Sequence, residues 1–148
     1  MTPASPLPDP KTRKARQVSR MFGTIAPTYD LLNHLLSMNM DRLWRRKAVK
    51  SLSPRDGGAY LDICTGTGDL ALAVLARVKC RMLGMDFSRP MLDIARGKAE
   101  KRGRRLTLCE ADALHLPIAD ASIDGAMVAF GVRNFEDLTR VWAKFTGF

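Results

Sequence analysis

An apolar stretch that runs into a glycine turn and then into a helical pattern is the feature that most limits how this chain can fold. Residues 59–63 have the composition of a buried strand, Gly66 and Gly68 lie in the short turn that follows, and residues 69–77 continue as a helix. Strand, turn and helix in this order are typical of an α/β fold with a parallel sheet. Two glycines let the backbone approach a ligand closely, although a tight turn without a ligand would have the same pattern.

Acidic residues follow two further predicted strands. Asp86 closes the apolar stretch 80–85 and stands 24 residues after Asp62, near the spacing of about 20 residues expected of a ribose-binding acid. Asp112 comes shortly after a third strand that ends at Cys109. Because the carboxyl ends of parallel strands meet at one edge of a sheet, where open α/β folds bind ligands, these acids are expected to line one crevice. Each acid taken singly could equally be a solvated loop carboxylate or a helix cap.

Two classes of nucleotide ligand fit this pattern. The run from Gly66 to Ala71 matches the dinucleotide fingerprint, so an NAD(P)-binding oxidoreductase domain is one alternative. In dinucleotide folds the pyrophosphate lies at a glycine turn and a helix amino terminus, where the local charge is positive. Carboxylates of Asp62 and Asp69 at that place would repel it. S-adenosylmethionine instead carries an ammonium and a sulfonium group, which acids attract. The charge pattern therefore favours S-adenosylmethionine.

Several longer segments add a resemblance to a known family. They are Met21-Phe22, Ile25-Ala26, Tyr29-Asp30-Leu31-Leu32-Asn33, Asp41-Arg42, Trp44-Arg45, Asp62, Thr65 to Ala71, Gly84, Asp86-Phe87-Ser88, Met91-Leu92, Asp112-Ala113, Leu116-Pro117 and Phe130-Gly131-Val132-Arg133-Asn134. On these segments the chain resembles the ubiquinone/menaquinone biosynthesis C-methyltransferase family, which are class I S-adenosylmethionine-dependent methyltransferases. The glycine turn and Asp86 are shared by many methyltransferases. The segments around Tyr29 and from Phe130 to Asn134 are more specific.

The resemblance implies a Rossmann-like α/β fold, in which amino-terminal helices accompany a parallel sheet. It also implies S-adenosyl-L-methionine as cofactor and methyl transfer to a ring carbon of a polyprenylated quinol, either demethylmenaquinol or the related benzoquinol. The candidate cofactor-binding residues are Asp62, Thr65, Gly66, Gly68, Asp86, Asp112 and Ala113. The candidate catalytic residues are Tyr29, Asp30, Arg133 and Asn134.

The catalytic roles are hypotheses about how a ring carbon becomes nucleophilic. Carbon is a poor nucleophile unless a neighbouring hydroxyl group loses its proton, which requires a base or a cation beside the oxygen. We expect Asp30 to act as the base through water, Arg133 to stabilise the oxyanion and Asn134 to hold the ring oxygen. The Tyr29-Asp30 segment is expected to lie over the donor and the ring.

The length of the chain suggests an incomplete domain. A seven-stranded methyltransferase needs more than the 148 residues present. We expect a flexible basic arm over residues 1–20 and a methyltransferase domain over residues 21–148 that is incomplete at its carboxyl end. Four strands are predicted, over residues 59–63, 80–85, 105–109 and 123–129. In the order 3-2-1-4, the fourth would have an open edge that could mediate self-association, and the chain could bind the donor without turning over.

The charge of +9 lies mainly near the amino terminus, where residues 1–58 carry eleven Lys or Arg against four Asp or Glu. A predicted helix there combines Arg42, Arg46 and Lys50 with Leu43 and Trp44. This amphipathic basic helix predicts peripheral contact with an anionic membrane, although a solvated helix face is the plain alternative. Nucleic acid is not expected, because no aromatic RNA-binding motif accompanies the charge.

The remaining composition predicts a cytoplasmic protein that could lie peripherally on the inner membrane. No apolar run approaches the roughly 20 residues that span a bilayer. Three scattered cysteines fit a reducing compartment and indicate no metal site. Nearer the amino terminus, helices are predicted to cover the crevice, with Pro27 or Thr28 near the start of one of them.

Overall fold

In the computed structural model, the structure describes residues 17, 20–21, 23–31, 40–112 and 122–128. A helical segment, α1, covers residues 23–31. The elements that follow are α2 (Met40–Leu52), β1 (Ala59–Ile63), α3 (Asp69–Leu75), β2 (Arg81–Asp86), α4 (Arg89–Lys101), β3 (Thr107–Glu110) and β4 (Gly125–Val128). Strands and helices alternate from β1 to β3, as the sequence pattern predicts.

The four strands form one parallel sheet in the order β3-β2-β1-β4, the order on which the expectation of an open edge at the fourth strand depended. Ile63 at the end of β1 pairs with both Met85 of β2 and Val128 of β4. Asp86 at the end of β2 pairs with Glu110 of β3. This register brings the carboxyl ends of all four strands to one edge of the sheet, where Asp86 and the glycine turn after β1 lie.

The central strand β1 is buried along its whole length. Successive side chains of a strand point to opposite faces of the sheet. Tyr60 accordingly packs in a core with residues of α2, α3 and α4, whereas Leu61 and Ile63 pack in a second cluster with Met85. By this alternation Asp62 lies on the same face as Tyr60, the face that the helices cover.

The beginning of α1 differs from the prediction. Residues 23–31 are helical, so a helix start at Pro27 or Thr28 is wrong. The hydroxyl of Thr28 donates to the carbonyl oxygen of Ile25 at 3.2 Å, and that of Thr24 donates to Arg20 at 3.0 Å. Threonine hydroxyls that bond back along the helix satisfy carbonyls within it and do not cap its beginning.

Other element boundaries shift by a few residues. Helix α3 ends at Leu75, where residues 69–77 were predicted, and β3 and β4 each begin two residues later than predicted. Before β4, the carboxylate of Asp124 accepts a hydrogen bond from the backbone amide of Ala59 at 2.8 Å, and the amide of Asp124 donates to the carbonyl oxygen of Ala59 at 2.7 Å, so residue 124 is bonded to the first residue of β1. Within the described part of the chain, β4 pairs only with β1.

Candidate functional site

The glycine turn, defined as residues 64–68, leaves β1 through three left-handed backbone conformations. Cys64, Gly66 and Gly68 have φ values of 55°, 55° and 81°. A Cβ atom added to Gly68 would lie 3.0 Å from the Cβ atom of Ala95 in α4, so glycine is required there by packing as well as by φ. A Cβ atom added to Gly66 would meet nothing within 4 Å. The turn is therefore packed on α4 at Gly68 and open at Gly66.

Asp86 connects this turn to the end of β2. Its Oδ2 atom accepts the backbone amide of Gly66 at 2.8 Å, and its Oδ1 atom accepts the backbone amide of Ser88 at 2.9 Å. Burial raises the pKa of Asp86, and the hydrogen bonds from Ser88 and Gly66 oppose that shift. A carboxylate has about four lone-pair positions, so each oxygen can still accept a further donor such as a ribose hydroxyl.

Asp62 lies beneath the turn and is 1% exposed. The hydroxyl of Thr65 donates to its Oδ2 atom at 2.7 Å, and the backbone of Ala71 gives a further hydrogen bond. Burial raises the pKa of Asp62 to about 7, and the charge of Asp86 adds to that shift. A Cβ atom at Gly84 would come within 3.0 Å of the Thr65 hydroxyl, so glycine at that position makes room for the contact. The hydrogen bond between Thr65 and the buried Asp62 thus stabilises the turn.

The carboxylate of Asp69 is held between two cations. Its Oδ2 atom lies 2.8 Å from a guanidinium nitrogen of Arg45 in α2, and its Oδ1 atom lies 2.9 Å from the ammonium of Lys98 in α4. The preference for S-adenosylmethionine over a pyrophosphate relied on Asp62 and Asp69 as free charges. Because Asp62 is buried and Asp69 is paired with two cations, neither side chain presents a free negative charge that would support this preference.

Helix α1 meets the glycine turn through Asp30. The hydroxyl of Thr67 donates to Oδ1 of Asp30 at 2.6 Å, and Oδ2 of Asp30 pairs with Lys98. At the other end of α1, a Cβ atom on Gly23 would lie 3.3 Å from Cγ of Pro90, at the beginning of α4. Tyr29 is half-buried. These contacts place α1 beside the carboxyl end of the sheet, in keeping with a helix over the crevice.

Asp112, the third predicted acid, also lies near the carboxyl end of the sheet. Asp112 is exposed, and its charge adds to the burial that raises the pKa of the Cys64 thiol to about 12. The backbone amide of Ala111 donates to the carbonyl of Asp86 at 3.0 Å, which ties the chain after β3 to the end of β2. The other predicted site residues, Ala113, Arg133 and Asn134, lie outside the described residues.

Three contributors to the site were not predicted: Arg45, Lys98 and Ser88. The first two lie on helices distant in sequence from the glycine turn, so no local pattern marks them. The hydroxyl of Ser88 is fully buried beside Asp86 and has no hydrogen-bond partner among the residues that the structure describes. An unpartnered buried hydroxyl normally indicates a missing partner.

These features fit a ligand that presents hydroxyl groups to the ends of β1 and β2. Asp86 can accept them, the open face at Gly66 gives room for them, and the hydroxyl of Ser88 has no hydrogen-bond partner in the part of the chain that the structure describes. Within residues 17–31, 40–112 and 122–128, as far as they are described, no group of three or more metal-ligating side chains occurs. Over the same residues, no helix is long and apolar enough to cross a membrane.

Comparison with known proteins gives consistent matches. The ubiE/COQ5 methyltransferase family model matches residues 10–146. A demethylmenaquinone methyltransferase of Thermus thermophilus is 51% identical over 118 residues, covering 79% of this chain and 54% of that protein. A ubiquinone/menaquinone biosynthesis C-methyltransferase of Geotalea uraniireducens is 42% identical, covering 85% and 55%. The chain thus spans about half the length of the curated relatives it matches.

A solved structure supports the fold independently. A SAM-dependent methyltransferase from Aquifex aeolicus superimposes with a TM-score of 0.60 at 20% identity, covering 68% of this chain and 55% of that one. At this identity the likeness concerns the fold alone, and it agrees with the Rossmann-like α/β architecture predicted from the sequence.

Proposed function

The chain belongs to the ubiE/COQ5 methyltransferase family, and from this premise we propose that it binds S-adenosyl-L-methionine and methylates a ring carbon of a polyprenylated quinol. The substrate is demethylmenaquinol or the related benzoquinol of ubiquinone synthesis. The observation that carries the proposal is the bond from the Gly66 amide to Asp86, which joins the open glycine turn to the acid at the end of β2.

The residues that would hold the donor have distinct tasks in this proposal. Asp86 accepts hydrogen bonds from the ribose hydroxyls, and Gly66 leaves the backbone open on that side. Asp62 and Thr65 keep the turn in shape from beneath it, while Gly68 allows it to pack on α4. Asp112 and Ala113, which follow β3, complete the set.

Methyl transfer to carbon requires an electron-rich ring and an aligned donor. S-adenosylmethionine would supply the electrophilic methyl group of its sulfonium and leave as S-adenosylhomocysteine, and the ring carbon that gains the methyl group would lose its hydrogen as a proton to solvent. Asp30 takes the proton of the ring hydroxyl through water, Arg133 stabilises the oxyanion that results, and Asn134 holds the ring oxygen. Tyr29 shares the face of the site formed by α1. Both oxygens of Asp30 already have partners, Thr67 and Lys98, so a water that joins it to the substrate must approach beside them.

Two alternatives differ in what they predict. Donor binding without turnover is the second candidate, because the residues assigned to the donor and those assigned to the ring are different sets. The NAD(P)-binding oxidoreductase alternative is disfavoured, because the matching family consists of methyltransferases. Donor binding and product formation measured on the same preparation distinguish methyl transfer from donor binding without turnover.

We also propose that α2 contacts an anionic membrane, where a polyprenylated substrate resides. Met40, Leu43 and Trp44 are 53%, 49% and 61% exposed. Their spacing of three and four residues places them on one face of the helix. The exposed basic residues next to them are Arg42, Arg46, Lys47 and Lys50. Exposed apolar side chains beside cations are the pattern of an interfacial helix, and sedimentation with lipid vesicles tests the proposal.

Self-association is a further proposal, carried by the outer edge of β4. Among the described residues that strand bonds only to β1, and an unpaired strand edge is a template for another chain. Sedimentation velocity over a range of protein concentrations tests it. A sedimentation coefficient that keeps the value expected of a monomer at every protein concentration would contradict self-association.

The main test follows the methyl group. Purified chain is incubated with S-adenosylmethionine and demethylmenaquinol in detergent micelles, and the quinol is analysed by mass spectrometry. We expect a gain of one methyl group on the ring, and loss of that product with Arg133→Ala in protein that is still folded. Donor binding without product would favour the second candidate. A folded chain that neither binds the donor nor forms product would overturn the proposal.

A further inference from the structure

The ammonium group of Lys98 lies where three elements of the fold meet. It donates to the hydroxyl oxygen of Thr67 at 2.9 Å and to Oδ1 of Asp69 at 2.9 Å, and it pairs with Oδ2 of Asp30. Those partners belong to the glycine turn, to the first residue of α3 and to α1. One side chain of α4 therefore contacts both the glycine turn and α1.

The contacts around Lys98 form a closed ring. Thr67 accepts from Lys98 and donates to Asp30, while Asp30 pairs with Lys98 through its other oxygen. The hydroxyl of Thr67 is thus used both as donor and as acceptor, and Thr67 is buried. A lysine ammonium has three donor hydrogens, which matches the three partners of Lys98. Its side chain is only 21% exposed, so solvent screens these contacts less than at an open surface.

The ring is part of a longer row of charges. Five side chains alternate in sign across the four helices, in the order Asp41, Arg45, Asp69, Lys98 and Asp30. Within this row, Lys98 pairs with Asp30 of α1 and with Asp69 of α3. Its loss would leave the carboxylates of Asp30 and Asp69 close to one another without the cation between them. Like charges in such a place repel, so the attachment of α1 to the turn would be weakened and would depend on the remaining hydrogen bond from Thr67 to Asp30.

We infer that Lys98 is a positioning residue, which holds Asp30 and the rest of α1 against the glycine turn. The effect of Lys98 on donor binding and catalysis rests on the proposed function, because a displaced α1 would expose the donor and misplace Asp30. The attachment itself is a property of the chain without ligand. Lys98 acts through Asp30, so the two residues should behave as one unit.

Hydrogen exchange of the chain without donor tests the attachment. Lys98→Met removes the charge and keeps much of the length, Lys98→Arg keeps the charge, and Lys101→Met changes an exposed lysine of the same helix as a matched control. We expect faster exchange in peptides covering residues 23–31 for Lys98→Met, near-normal exchange for Lys98→Arg and Lys101→Met, and unchanged protection of residues 59–63 in all three. Unchanged exchange of residues 23–31 in Lys98→Met would overturn the inference.

A double-mutant cycle tests whether Lys98 acts through Asp30. If it does, Asp30→Asn combined with Lys98→Met should accelerate exchange of residues 23–31 no more than the larger single change. Effects of the two changes that simply add would contradict the coupling. If Lys98→Met also lowered the protection of residues 59–63, the side chain would have a general structural role and the inference would be wrong.

The affinity for S-adenosylmethionine then links the attachment to function. We expect Lys98→Met to weaken binding about tenfold, which corresponds to the loss of one charge-assisted contact, and Lys98→Arg to restore most of it. If the wild-type chain binds no donor, the proposed function fails while the exchange result still decides the role of Lys98. If the wild type binds and Lys98→Met binds equally well, the functional part of the inference is wrong.

Discussion

The backbone amide of Gly66 donates a hydrogen bond of 2.8 Å to Oδ2 of Asp86. This bond joins the turn after β1 to the end of β2, so the two parts of the proposed donor site are fixed relative to one another. The second oxygen of Asp86 accepts the amide of Ser88, which fixes the carboxylate itself. A change at Asp86 should therefore alter the site without removing an element of the fold.

Asp86→Asn should weaken the binding of S-adenosylmethionine about 10- to 100-fold. An amide nitrogen cannot accept from the backbone of Gly66 or Ser88, and a bond to a charged group is worth roughly 1.5–3 kcal/mol. Calorimetric titration measures the effect. Asp93→Asn, which changes an exposed acid on α4, is the matched control and should bind as the wild type does. Equal affinity for Asp86→Asn and wild type would remove Asp86 from the site.

The buried Asp62 should make stability depend on pH between about 4 and 7. Its pKa is raised from 3.8 to about 7 in the folded chain, so the folded state binds this proton more tightly than the unfolded state does. The stability that Asp62 contributes is therefore present below pH 3.8 and is lost as the pH rises to about 7. Burial raises the pKa of Asp86 as well, which gives a change of the same sign.

Comparison of variants isolates the contribution of Asp62. Asp62→Asn, an uncharged replacement of similar size, should gain stability relative to wild type as the pH rises from about 4 to 7, as measured by urea unfolding. Parallel stability curves for the two proteins would contradict this. Asp124→Asn is a control of opposite sign, because hydrogen bonds from Ala59 and Arg55 lower the pKa of Asp124. Its difference from wild type should shrink as the pH falls below 3.8.

The two glycines of the turn should respond differently to alanine. Gly68→Ala places a Cβ atom 3.0 Å from that of Ala95 in addition to the cost of its positive φ, so we expect a loss of stability of more than about 1–2 kcal/mol. Gly66→Ala has the cost of φ without a clash, so it should be less destabilising. Its methyl group enters the open face of the turn and should weaken donor binding. Urea unfolding and calorimetry measure the two effects, and equal unfolding free energies for the two variants would contradict the packing argument.

Helix α2 should bind anionic vesicles through both charge and apolar contact. Changing Leu43 and Trp44 together to serine, or Lys47 and Lys50 together to glutamate, should each reduce sedimentation with vesicles of anionic lipid. Charge reversal of Lys101 and Arg102 at the end of α4 has the same change in net charge and should have less effect. Equal losses for the two charge reversals would indicate attraction by net charge alone, and wild-type protein that stays in the supernatant would contradict the proposal.

The sequence predicted the parts of this molecule that local patterns encode. The run through β1, the glycine turn and α3 and the placing of Asp86 at a strand end follow from apolar periodicity and the geometry of parallel sheets. The beginning of α1 was mispredicted because Pro27 and Thr28 are typical of helix starts, whereas the hydroxyl of Thr28 bonds within the helix.

The contacts of the acids could not be predicted in this way. Asp69 has Arg45 and Lys98 as partners only because α2 and α4 pack on either side of it, which depends on the tertiary arrangement. Burial of Asp62 likewise depends on the helices that cover its face of the sheet. The roles of Arg133 and Asn134 stay predictions, and Arg133→Ala tests the first of them.

The most direct test of the central claim is a calorimetric titration of the folded chain with S-adenosylmethionine and, separately, with NADH, after circular dichroism has confirmed the fold. We predict saturable binding of S-adenosylmethionine at one site per chain, weakened in Asp86→Asn, and no binding of NADH. A folded chain that binds NADH, or that gives no saturable heat with S-adenosylmethionine, would contradict the assignment of the glycine turn and Asp86 as a methyl-donor site.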